Sequence, residues 1–400
     1  MNRNIILHRL LYLVILLFAS SIITLCVLYV VPEGPFACAR ALQEEKNPEG
    51  FAEEVVYGLI ATKLNAMETK DINRYLTLID ETDKEYYTEQ YNWFMIYQDA
   101  VISDFSIKVL KAVQVDDATI VATLCQRYLY GSEKDERNVR YETRFVKTPA
   151  GWKDADLNFQ VKETPHFIIK YPQKAETQAK EVSKAAEVAY ETVVKDLGFE
   201  SQSKFKIKLY VDRKMLRETA DIRVPYLYNG WSEAGESVKM YAYREGSAEL
   251  LIAHELVHNI TLTVTDSQPA WFSEGLAAYF GNRPFAGGNP VQLESSTAEE
   301  LSRPINWLDE NALHEITDGD TRKLYNDMSA MVVEFIVETY EPDKLQAILV
   351  ELSKYPRYES GYSTEWEPEM QDRLYKSIEI VLGLSKDEFN QKWLAWISSQ

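Results

Sequence analysis

The hydrophobic pattern changes character several times along the chain. Leu10 to Val31, "LLYLVILLFASSIITLCVLYVV", contains no charged residue. As a helix this run would extend roughly 33 Å, enough to cross a hydrocarbon core of about 30 Å. Arg3 and Arg9 precede it, and Pro32, Glu33 and Gly34 follow. Positive charge stays on the cytoplasmic side, so residues 1–9 are expected as a cytoplasmic tail and the bulk of the chain outside. Length favours an uncleaved signal-anchor helix over residues 10–31. The small-residue triplet Ala37-Cys38-Ala39 leaves cleavage and secretion as the alternative. Residues 32–50 mix Pro, Gly and charge and read as a linker.

From residue 51 the pattern becomes helical in "FAEEVVYGLIATKLNAMETKD" and "KEYYTEQYNWFMIYQDAV". It then turns to β-branched and aromatic runs with partial alternation, "FSIKVLKAVQV", "ATIVATLCQRYLY", "VRYETRFVKT" and "GWKDADLNFQV". Helices first and a meander of strands after them predict an α+β unit over 51–163, with helices packed on one sheet face. That order, the opening "KLNAMETKDINRYLTLID" and the closing "GWKDAD" resemble the NTF2-like family of cone-shaped α+β domains. Enzymes of that superfamily usually place His and Asp in the cone. This stretch has no His, so the resemblance implies a spacer or binding role.

A second unit is expected over 164–400. "HFIIKYP", "KFKIKLYV" and "SVKMYAYR" read as strands. Val182, Ala186, Ala189, Val193 and Leu197 fall on one face of a helix that Gly198 stops. "SAELLIAHELVHNITLTV" is a helix with Ser247 as its N-cap, and "PAWFSEGLAAYFG" is a helix opened by Pro269 and closed by Gly281. Further on, Leu324, Met328, Met331 and Phe335 recur at helical spacing and read as core.

Composition narrows the function classes. Apolar residues make up 46% and charged residues 26%, as in a globular protein. The net charge of −19 argues against a nucleic-acid partner, which needs clustered Lys and Arg. Cys26 lies in the apolar run, leaving Cys38 and Cys125. An exported setting permits a disulfide between them, although Cys125 in "TIVATLC" also reads as a small buried hydrophobe.

The chemistry concentrates in "HELVHNITLTVTDSQPAWFSEG", residues 254–275. Residues four apart on a helix project from one face, so His254 and His258 can direct their rings at one point. Glu255 is rotated about 100° from His254 and can approach a bound water without being a ligand. If the next helix packs beside the first, Glu274 completes a His2Glu set, a common composition for catalytic zinc with an open fourth position. Tyr325 and Tyr279 are candidate donors to a tetrahedral oxyanion.

"HELVH", followed at a distance by "PAWFSEGLAAYF", resembles the gluzincin metallopeptidases, in particular the peptidase MA-like branch, with its H-E-x-x-H and W-x-x-E-G-x-A-x-Y signatures. The resemblance implies His254, His258 and Glu274 as ligands of one Zn2+ per chain, with Glu255 as general base for a zinc-activated water. It also implies that the strand before the zinc helix, residues 237–244, forms the sheet edge that holds the substrate backbone. Thermolysin-type gluzincins have an Asp four residues after the ligand Glu, orienting a histidine; here Ala278 stands there, and the orienting partner must come from elsewhere.

The expected fold class is therefore α+β. An N-terminal transmembrane helix precedes an NTF2-like α+β cone domain, then a zincin-type α+β metallopeptidase domain with a helical C-terminal part. The expected function is a membrane-anchored, extracytoplasmic zinc metallopeptidase acting on a peptide or protein substrate. The competing class is a catalytically silent module that binds zinc or a ligand; an intact Glu255 argues against it.

Overall fold

The computed structural model describes residues 48–400 apart from 201–202, 225, 227–228, 234, 244–246, 283–296 and 359–363. The described chain divides into two compact units. One comprises the residues up to 78 together with 99–154, the other residues 79–98 together with 155–400.

In the first unit, helices α1 (Phe51–Glu68) and α2 (Ile72–Leu76) precede strands β1 (Ile102–Asp116), β2 (Thr119–Tyr130), β3 (Asp135–Thr148) and β4 (Gly151–Leu157). The strands form a sheet in sequence order, with β1–β2 and β2–β3 antiparallel. Alternate residues of β2, Ile120, Ala122 and Leu124, bury one face. Val56 and Ile60 of α1 join them in one apolar cluster with Ile107, Val109 and Phe145. Asp71 starts α2 by accepting a hydrogen bond from the Arg74 amide at 2.9 Å. Cys125 is fully buried and is disulfide-bonded rather than a free apolar filler; Cys26 and Cys38 lie outside the described residues.

The second unit holds helix α3 (Lys84–Asp99), strands β5 (Gln160–Glu163) and β6 (Phe167–Tyr171), helix α4 (Glu176–Leu197), strand β7 (Phe205–Tyr210), helix α5 (Arg213–Ala220), and strands β8 (Gly230–Trp231) and β9 (Val238–Tyr241). Its sheet runs β5-β6-β7-β9-β8. The three central strands are parallel, and β5 and β8 close the edges antiparallel. A parallel pair needs a crossover, and α4 supplies it between β6 and β7. Gly198 ends α4 at φ 76°, as its position predicts.

The two faces of this sheet are chemically opposite. Phe167, Ile169, Ile207, Leu209, Val238 and Met240 enter the main apolar cluster with Val182, Ala186, Ala189 and Val193 of α4. The intervening positions, Lys170, Lys206, Lys208 and Lys239, carry ammonium groups that meet the acidic side of α3 and the chain around it. Lys170 pairs with Asp83 and, at 2.9 Å, with Asp156, Lys206 with Asp83 at 2.7 Å, and Lys208 with Glu89 and with Asp156 at 2.7 Å. Lys208 and Lys239 are each 1% exposed, so these pairs are interior ones. Helix α3 thus belongs by its charge partners to the second unit's sheet.

The rest is helical: α6 (Ala248–Val264), α7 (Ala270–Asn282), the short α8 (Ala298–Leu301) and α9 (Asn306–Glu310), then α10 (Gly319–Tyr340), α11 (Pro342–Leu352), α12 (Glu367–Leu382) and α13 (Lys386–Ile397). Met328, Met331 and Phe335 of α10 are buried in the main cluster, in keeping with their spacing.

The expected fold class and localisation need correction. The described chain is a mixed α/β protein, and no helix among the described residues is long and apolar enough to cross a membrane. The physical reason is plain in α6, one of its most apolar helices. It has 17 residues and carries Glu249, His254, Glu255 and His258. The span expected at 10–31, the tail at 1–9 and most of the 32–50 linker lie outside the described residues, so the single-pass anchoring expected from them forms no part of this architecture. A second correction concerns the sheet edge. The strand expected there is β9, covering only Val238–Tyr241 and paired on both sides; the edge beyond it is β8.

Candidate metal centre

Helix α6 is fixed at both ends. Ser247 accepts a hydrogen bond from the Leu250 amide at 3.3 Å, the N-cap its sequence predicts. At the other end the Arg357 guanidinium donates to the carbonyls of Leu262 and Thr263 at 3.1 and 2.6 Å, placing positive charge where the helix presents unpaired acceptors. A short buried turn follows, in which Gln268 Nε2 donates to the Thr265 carbonyl at 2.8 Å. Helix α7 then begins after Pro269, and the Glu367 carboxylate accepts from the Ala270 amide at 2.9 Å.

Two glycines decide how α7 sits. A Cβ built on Gly281 would stand 2.8 Å from both the Cα and the N of His254. Gly281 is therefore not the helix stop expected from sequence but the point where α7 touches the backbone of the first histidine. A Cβ on Gly275 would run into the Ser329 carbonyl of α10; its small size serves a contact with α10. Trp271 is fully buried, and its indole N–H donates to Asp309 Oδ1 at 3.0 Å. Asp309 also accepts from the Tyr375 hydroxyl and the Lys386 ammonium, both at 2.8 Å. That hub pins α7 to α12 and α13, one helical turn before Glu274.

With the helices so placed, Nε2 of His254 and Nε2 of His258 lie 3.2 Å apart. The Glu274 oxygens lie 3.6 Å from the first and 3.7 Å from the second. Among the described residues, this is the one group of three His, Cys or acidic side chains placed to share a metal ion. Bonds of about 2.0–2.1 Å in tetrahedral geometry space zinc ligands by about 3.3 Å, so the donor set fits zinc in both chemistry and spacing. Two imidazoles and one carboxylate leave one coordination position open.

The electrostatics agree with a cation-binding cluster. Burial pushes the Glu274 carboxyl up, but His258, His254 and Arg322 outweigh it and hold the group down at about 2. Burial also works against a charged His254, yet the Glu274 carboxylate raises it. For His258 burial dominates and its pKa falls, which favours the neutral ring that a metal ligand must be. A His258 that offers Nε2 must carry its proton on Nδ1, and Ser273 Oγ stands 3.0 Å from that atom. The orienting partner missing at Ala278 is thus supplied by the residue just before Glu274.

Glu255 follows His254 on α6 but belongs to a different set of contacts. It is buried, and Ser232 Oγ, just beyond β8, donates to its Oε2 at 2.7 Å. Asn259 Nδ2 donates at 3.0 Å to Ser232 Oγ and at 3.0 Å to the Glu255 carbonyl. Tyr279 and Tyr325 are buried in the main apolar cluster, Tyr279 against Phe280 and Tyr325 against Trp307. Sequence reasoning missed Ser273, Ser232, Asn259 and Arg322. Asn259 was within reach, being adjacent to His258. Ser232 was not, because no spacing rule connects a strand edge to a helix twenty-odd residues later.

No family model matches this chain, and no curated protein matches it. Among solved structures it is weakly similar to a mutant form of the M1 zinc metallopeptidase from Deinococcus radiodurans. The TM-score is 0.34 at 14% identity, over 74% of this chain and 61% of that one. The chain therefore spans less than two thirds of that protein's length. A likeness of this degree decides nothing about chemistry, which rests on the side chains themselves.

Proposed function

We propose that the chain is a zinc-dependent metallopeptidase of gluzincin, peptidase MA-like type, hydrolysing peptide bonds in a peptide or protein substrate. The observation that carries this reading is the division of labour on α6 and α7. Three donors converge within 4.8 Å of one another, while Glu255 is withheld from them and held by Ser232. A purely structural zinc site fills all four positions with protein ligands and has no use for a separate carboxylate base.

His254, His258 and Glu274 would hold the ion, with Ser273 orienting His258. Zinc, when bound there, supplies Lewis acidity and makes nearby water acidic enough to attack at neutral pH. Glu255 takes the proton from water as it adds to the scissile carbonyl, then passes it to the leaving amine nitrogen. The first unit, which resembles NTF2-like domains in its helix-then-strand order, serves this reading as a spacer or binding module. Nucleic acid is not the partner, given the net charge of −19.

The test is Glu255→Gln compared with wild type on dye-labelled casein, with zinc content measured on both. The variant should keep about one zinc per chain and lose hydrolysis. Equal hydrolysis by the two would remove the mechanism.

A further inference from the structure

The hydrogen bonds around Glu255 distinguish its two carboxylate oxygens. Ser232 has one hydroxyl hydrogen. Its oxygen accepts from Asn259 Nδ2 at 3.0 Å, so that hydrogen is directed at Glu255 Oε2, 2.7 Å away. Asn259 is itself held, because the same Nδ2 donates to the Glu255 carbonyl one turn back on α6. The hydroxyl therefore cannot turn without losing its partner on one side. That bond engages Oε2, and the carboxylate cannot rotate freely while it stands.

We propose that Ser232, held by Asn259, is a positioning residue that locks the Glu255 carboxylate through Oε2 and reserves Oε1 for proton transfer. This inference rests on the proposed metallopeptidase reading. In the step it governs, one O–H bond of water breaks and its proton goes to Oε1 as the water oxygen bonds to the carbonyl carbon. The same proton then moves from Oε1 to the amide nitrogen as the C–N bond breaks. Ser232 keeps its own proton throughout and donates to Oε2 in every state. Because Ser232 lies just past edge strand β8, the sheet edge and the general base are mechanically joined. Displacing the strand edge displaces the base.

Ser232→Ala, Ser232→Thr and Asn259→Ala test this, each assayed on dye-labelled casein beside Glu255→Gln and each examined by crystallography. Ser232→Ala should lower kcat on the order of 10-fold to 100-fold, the cost of about an ångström of misplacement, with KM and zinc content unchanged. Its crystal structure should show the Glu255 carboxylate turned from its wild-type position. Ser232→Thr retains the hydroxyl and should recover most of kcat; Asn259→Ala should fall between. Wild-type kcat in Ser232→Ala beside an inactive Glu255→Gln would overturn the positioning role and leave the proposed function intact. Activity in Glu255→Gln would instead overturn the proposed function. An unmoved carboxylate in the Ser232→Ala crystal, or loss of zinc from that variant, overturns the positioning role irrespective of turnover.

Discussion

Ser273 Oγ stands 3.0 Å from Nδ1 of His258, from the position next to Glu274 in sequence. On the proposed reading, one short stretch of α7 supplies both a donor for the ion and the group that orients another donor. Partners of this kind typically contribute 10-fold to 100-fold in metal affinity. Ser273→Ala is therefore expected to weaken zinc binding on the order of 10-fold, read by competition with a chromogenic chelator, while circular dichroism stays that of wild type.

Removing the ion should cost stability, because the cluster exists only when α6 and α7 are packed. Zinc held at about 1,000 times its Kd stabilises the folded chain by about 4 kcal/mol. A chelator should lower the melting temperature of the wild-type protein and leave that of Glu274→Ala nearly unchanged. A wild-type melt indifferent to both zinc and chelator would remove the assignment of the three donors.

Gly281→Ala and Gly275→Ala separate two contacts of the same helix. Each added methyl meets backbone that has no side-chain freedom, His254 in one case and Ser329 in the other. Each is expected to destabilise by about 1–3 kcal/mol in chemical denaturation. Gly281→Ala should also weaken zinc binding, since it pushes on the first ligand. Gly275→Ala presses on α10 and should affect zinc affinity less.

The buried charges between α3 and the sheet give a pH prediction. Burial pushes the Glu89 carboxyl up, but the Lys208 and Lys239 ammonium groups outweigh it and hold the group at about 2, against an ordinary value of 4.5. Ser237 donates to the same carboxylate through both its amide and its hydroxyl. Lys208 also faces Asp156, and Lys239 faces Glu236. A depressed carboxyl contributes stability that is complete above its unfolded pKa and is lost as pH falls toward the folded one. Melting temperature should therefore decline from about pH 4.5 down to about pH 2. Glu89→Gln should destabilise at neutral pH by about 3 kcal/mol and flatten part of that decline.

The same network sets where the second unit begins. A fragment of residues 164–400 lacks Asp83, Glu85, Glu89 and Asp156, leaving Lys170, Lys206 and Lys208 without the carboxylates they face. It should fail to give a cooperative thermal transition, whereas residues 48–400 should give one. A cooperative melt of the shorter fragment would show the lysine face to be stable without α3.

Local rules carried much of this molecule. The spacing of His254 and His258 put their rings on one helical face, and packing of the two helices, assumed from sequence, brings Glu274 beside them. Ser247 and Gly198 marked helix ends, since a cap is decided by a residue and its near neighbours. The same reasoning misread Gly281 as a stop, because a glycine required for close approach looks like one required for a left-handed turn. It placed α3 with the strands that follow it, because an amphipathic pattern shows that a face is covered but not what covers it. Its acidic face meets lysines about one hundred and twenty to one hundred and fifty residues later.

The sequence by itself determined the candidate donors and the candidate base: which side chains have the chemistry to hold a metal, and that Glu255 cannot share their direction on a 3.6-residue helix. Tertiary structure alone decided what holds them. Ser273 on His258, Ser232 on Glu255 and the glycine contact of α7 with α6 are through-space relationships, and they fix the orientation of groups whose identity the chain had already set.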